Sequence, residues 1–112
     1  MTNAYDQAHQ LARVLAKSPE YVEYKKAKEK LEANGENKKL VADLRAKQME
    51  LQKAVILGQK VDEAKKKQLE KMQQIIVTNP AIAEFFQTEF RFNKMMLDVQ
   101  KIIGEAVGLQ FP

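Results

Sequence analysis

The 112 residues hold 19 Lys and Arg against 15 Asp and Glu, a net charge of +4 with the two signs intermixed, and no cysteine. This size predicts one domain, residues 1–112, burying about two thirds of its unfolded surface, and the lack of Cys removes disulfides, thiolate metal sites and thiol nucleophiles. No apolar run approaches the roughly 18 residues of a membrane span, and the mixed charge describes a solvated helical surface better than a nucleic-acid patch, so a cytoplasmic protein without membrane or nucleic-acid contact is expected.

Taken in chain order, Thr2 or Asn3 is placed to cap a first helix whose Ala4, Ala8, Leu11 and Leu15 keep the spacing of one apolar stripe. Ser18-Pro19-Glu20 then stops it near Lys17 and starts a second helix. The serine supplies a side-chain cap, the proline fits the first helical position, and the acid complements the positive helix end. Tyr21, Tyr24, Ala27 and Leu31 give this second helix a thin apolar face, and Lys25 to Lys30 are mostly charged. Asn34-Gly35 reads as a turn.

Leu40, Val41, Leu44, Leu51, Val55 and Ile56 predict a third helix over about Asn37 to Leu57, with Met49 on its margin. Gly58 to Lys60 breaks the pattern. Asp62 and Glu63 place acids at a new helix start, from which Ala64, Leu69, Met72, Ile75 and Ile76 carry a fourth helix to Thr78.

The last helix, Asn79 to Gly108, carries most of the aromatic side chains. Asn79 is its cap, Pro80 its first residue, and Gly108 its left-handed end, with Leu109 folding back on Ile103 and the sequence running on to Phe111 and Pro112. Ile82, Phe85, Phe92, Met96, Val99, Ile103 and Ala106 alternate three and four apart, a seam interrupted at Glu89 and expected to form the core. Phe86, Phe90, Met95 and Ile102 widen that seam beyond what one neighbouring helix covers, which assigns them to a contact between subunits. The stripe Glu84, Gln87, Arg91, Lys94, Asp98, Lys101 and Glu105 is polar throughout.

No segment shows sustained strand alternation. The expected fold is therefore all-α: an antiparallel bundle of long amphipathic helices that self-associates as a dimer or a dimer of dimers. Catalytic chemistry finds no foothold. His9 with Asp6 makes half of a carboxylate and histidine metal motif, but no second histidine completes a pair, the four glycines are scattered, and Ser18, the one serine, has a capping role. Neither an enzyme nor a resident cofactor or metal is expected.

The order of signals resembles the bacterial YlbF, YmcA and YheA family of small helical proteins, most closely its YheA branch. The likeness is carried by Ser18-Pro19-Glu20-Tyr21, Tyr24-Lys25 with Ala27, the long middle helix, Asn79-Pro80-Ala81-Ile82, Glu89 and Met95-Met96-Leu97. It implies a self-associating helical fold and, for its better-known members, roles in competence, sporulation and biofilm formation within a complex that assists the RNA-cleaving enzyme RNase Y. Iron–sulfur clusters associated with that complex are held by cysteines, which these 112 residues lack. The expected function is a non-enzymatic helical oligomer acting as a regulatory adaptor with a protein partner. The alternative is an RNA-associated accessory protein of an RNase Y-type complex, using the lysines near 25 to 30 and 65 to 67.

Overall fold

The computed structural model describes residues 3–109, and the parts assigned above to Thr2, Phe111 and Pro112 lie outside that range. The described residues form five helices and no strand: α1 (Ala4–Ala16), α2 (Pro19–Glu32), α3 (Gly35–Ile56), α4 (Glu63–Val77) and α5 (Pro80–Val107). The all-α expectation holds.

Local chemistry sets each boundary. Asn3 Oδ1 accepts the Asp6 N–H at 2.9 Å, capping α1. The Ser18 hydroxyl has two roles: it donates to the Leu15 carbonyl at 2.7 Å, closing α1, and accepts the Tyr21 N–H at 3.2 Å, opening α2. Asn34 Oδ1 accepts from both Glu36 and Asn37 (3.1 and 3.2 Å), so α3 begins at Gly35, two residues before the apolar pattern suggested. The Asn-Gly pair read as a turn is itself the cap and first residue of the helix. Asp62 caps α4 by accepting the Ala64 N–H at 2.9 Å.

Two glycines end helices in the left-handed region, Gly58 at φ 67° and Gly108 at φ 70°. In both, the following residue donates back across the last turn, Gln59 to the Ala54 carbonyl and Leu109 to the Gly104 carbonyl, each at 2.8 Å. Leu109 remains 60% exposed and Ile103 48% exposed, so backbone bonds hold the second cap more than the apolar fold-back does.

The chain forms two compact units. One is Glu29–Glu84, built on α3 and α4, with residues from the end of α2 and the start of α5. Its core is aliphatic: Leu31, Val41, Leu44, Leu69, Ile76 and Ile82, the last with no exposed surface. Helices α3 and α4 run antiparallel, since Lys65 near the start of α4 pairs with Glu50 late in α3, while Asn37 at the start of α3 meets Asn79 just past α4. That second contact joins Asn79 Nδ2 to Asn37 Oδ1 at 2.9 Å, and the same Asn79 caps α5 by accepting the Ile82 N–H at 3.3 Å.

The apolar pattern included Val55, Ile56 and Ile75 among the inward positions, but they are 63%, 80% and 57% exposed. The Glu50–Lys65 and Asn37–Asn79 pairs set a register that brings Val55 opposite the turn around Lys60, beyond the start of α4 at Glu63, so no α4 side chain covers it.

The other unit contains the described residues through Lys28 and those from Phe85 onward. Its interior is an aromatic stack. Tyr24 lies parallel to Phe92 at 5.2 Å between ring centres and tilted against Phe85 at 5.9 Å; Tyr21 meets Phe92 at 5.4 Å, and Phe86 meets Phe85 at 5.6 Å. Thr88 is buried, its hydroxyl donating to the Phe85 carbonyl at 3.0 Å. Outside the stack Arg91 donates to Glu23 at 3.1 Å.

Candidate functional site

Helix α5 positions the surface of interest. Along the seam, Ile82 and Phe85 are buried, Phe92, Met96 and Val99 are half-buried, and Ile103 is 48% exposed. Burial fades toward the C-terminal turns, where the side chains are aliphatic and the aromatic stack has ended.

The four widening residues divide by geometry. A helix advances about 100° per residue, so Phe86 and Phe90, four apart, share one border of the helix, while Met95 and Ile102, seven apart, share the other. Phe90 is 69% exposed and Ile102 68%, whereas Phe86 and Met95 are half-buried. They make two borders rather than one patch. Sequence reading left Leu97 out, yet it stands seven residues past Phe90 and is 54% exposed. Its signal in the sequence is the heptad spacing from Phe90, which lies off the main seam. Val107, 64% exposed, was likewise passed over.

Charge on α5 sits between these borders and is paired along the helix: Lys94 with Asp98 and Lys101 with Glu105, each at 3.9 Å and open to solvent. Such pairs contribute little to stability and leave the apolar borders uncharged. An exposed aromatic beside exposed aliphatics, rimmed by neutralised charge, suits contact with another protein surface.

His9 and Asp6 are both exposed on α1, and among the described residues no three His, Asp or Glu side chains converge as a metal site. No described helix is long and apolar enough to cross a membrane.

Comparison with known proteins places this geometry in a family. The UPF0342 protein of Caldicellulosiruptor saccharolyticus is 40% identical over 110 residues, covering 98% of this chain and 92% of that one. Among solved structures, a DUF964 protein from Bacillus stearothermophilus superposes with a TM-score of 0.77 at 19% identity, covering 93% of this chain and 91% of the other. Bacillus subtilis RicA, solved in complex with RicF, superposes with a TM-score of 0.65 at 17% identity, covering 93% and 92%. At such identities the two structures speak for the fold. The family model described as control of competence regulator ComK, YlbF/YmcA, matches residues 4–108, nearly the whole helical array from α1 through the cap at Gly108, and the chain belongs to that family.

Proposed function

We propose that this protein is a non-enzymatic, cytoplasmic helical adaptor that self-associates through α5 and exerts a regulatory role through a protein partner. The observation that carries the reading is the exposure of Phe90 and Leu97 on one border of α5 and of Ile102 on the other. A helix with apolar residues on two borders meets two neighbours, which suits a dimer of dimers. The complex of RicA with RicF supports a protein partner for this fold.

Light scattering across dilution tests the reading. The wild-type protein is expected to keep an oligomeric mass at micromolar concentration. Phe90→Ala with Leu97→Ala lowers that mass and leaves helical circular dichroism in place, because neither side chain is buried in its own unit. A wild-type monomer, or a double variant that unfolds without dissociating, overturns it. A salt-dependent shift of single-stranded RNA favours the accessory reading instead.

A further inference from the structure

The hairpin of α3 and α4 ends in a second apolar surface of different chemistry. Met49, Val55, Ile56 and Leu57 are 70%, 63%, 80% and 58% exposed. Met49 and Ile56 stand seven residues apart on one face of α3, about 10 Å along the axis, a spacing that heptad-related residues of another helix match. Beside them a cavity of about 470 Å³ opens between the end of α3 and the start of α4.

Charge on this tip has a basic excess. Residues 45–71 hold eight Lys and Arg (Arg45, Lys47, Lys53, Lys60, Lys65, Lys66, Lys67, Lys71) against four Asp and Glu (Glu50, Asp62, Glu63, Glu70), a net +4 that equals the net charge of all 112 residues. Four of those lysines, 47, 53, 60 and 65, line the cavity together with Glu50 and Asp62. Both carboxylates already have internal work: Glu50 accepts from Lys65, and Asp62 caps α4. With Lys65 paired to Glu50, the lining still sets Lys47, Lys53 and Lys60 against Asp62, an excess of positive charge for an incoming group. Residues 45–71 also contain no aromatic side chain on which a base could stack, which weighs against single-stranded nucleic acid.

We propose that the α3–α4 tip docks an acidic amphipathic helix of a partner protein, its apolar stripe on Met49, Ile56 and Leu57 and its carboxylates on Lys53 and Lys60. Charge complementarity selects the occupant, and the apolar residues hold it. The inference rests on the adaptor reading and names the surface through which the partner is held, apart from the borders of α5.

The test uses the full chain and two labelled helical peptides with the same leucine stripe, one flanked by Glu and its twin by Lys, read by fluorescence anisotropy. The acidic peptide binds and its twin does not, and added salt weakens the binding. Lys53→Glu with Lys60→Glu weakens it roughly tenfold, from two attractive contacts turned repulsive. Ile56→Ser weakens it as well, with helical circular dichroism unchanged. Lys25→Glu with Lys26→Glu on α2, the same change in net charge, leaves it unaltered. Equal binding of the two peptides, equal loss in both charge-reversal pairs, or preference for phosphatidylglycerol vesicles or single-stranded RNA over the acidic peptide overturns the proposal. Mass is measured on the same samples: an intact oligomer that ignores the acidic peptide rejects the tip surface alone, whereas a monomer rejects the adaptor reading beneath it.

Discussion

The two units solve burial differently. Glu29–Glu84 closes an aliphatic interior with six deeply buried side chains and a pair of asparagines, whereas the unit of α1 and most of α2 and α5 relies on stacked rings, several of them half-buried. Branched aliphatics from α3 and α4 interlock along two antiparallel helices. Flat aromatic rings cover area efficiently but leave edges, and the turns of α5 beyond Phe92 continue with Met96, Val99 and Ile103 under thinning cover. Away from the exposed α3–α4 tip, the aliphatic interior is closed while the far turns of α5 stay open, and those turns are where self-association is expected.

Truncations separate the two interiors most sharply. Phe85→Ala, the most deeply buried ring of the stack at 3% exposed, is expected to cost about 3 to 5 kcal/mol, read by chemical denaturation. Ile82→Ala, fully buried in the aliphatic unit, is expected to cost about 2 to 5 kcal/mol. Phe92→Ala, half-buried, should cost clearly less than Phe85→Ala; an equal loss would mean the stack is as closed as the aliphatic core.

Asn37→Ala probes the polar pin and should cost about 1 to 3 kcal/mol, because it leaves the Asn79 amide without its partner while Asn79 still caps α5. A neutral result in thermal denaturation would show that water replaces the contact. The smallest effect belongs to the surface. Glu50 raises the Lys65 pKa above its ordinary 10.5, chiefly through their hydrogen bond and then through its charge. A raised lysine pKa gives stability that is present below 10.5 and lost as pH rises through the folded value. Because Lys65 and Glu50 are both more than half exposed, so that solvent screens their pair, Glu50→Gln should barely move Tm at pH 7, and any difference from wild type should shrink further in strong alkali.

Helix boundaries were legible because their causes are local. Ser18, Asp62, Asn79 and Gly108 act on backbone groups within a few residues, so the residue type and its position sufficed. Gly35 was assigned to a turn because Asn-Gly carries the same signal in a turn and at a helix start, and only the bonds from Glu36 and Asn37 distinguish them. The Asn37 to Asn79 contact spans 42 residues and leaves no periodic trace. Exposure at Val55 was equally hidden, because its position on α3 is in phase with Leu44 and Leu51 and only the register with the returning chain shows that it lies beyond the start of α4. The tip surface went unread for a related reason: Met49 and Ile56 lie in one helix and Lys60 and Lys65 beyond the break, and their union depends on how α3 turns back into α4.

The asparagine pin also bears on the order in which the chain acquires its structure. Helix formation is limited by its first turn, and the first turn of α5 is organised by Asn79, whose amide is held by a residue at the start of α3. Hairpin closure at Gly58 is local and needs no distant partner, so α3 and α4 can associate before the final helix is made. Their association sets the Asn37 oxygen where Asn79 must bind, giving α5 a prepared starting point during synthesis. Amide protection should follow this dependence, with the opening turn of α5 exchanging together with α3 and α4, and the far turns beyond Val99 exchanging sooner.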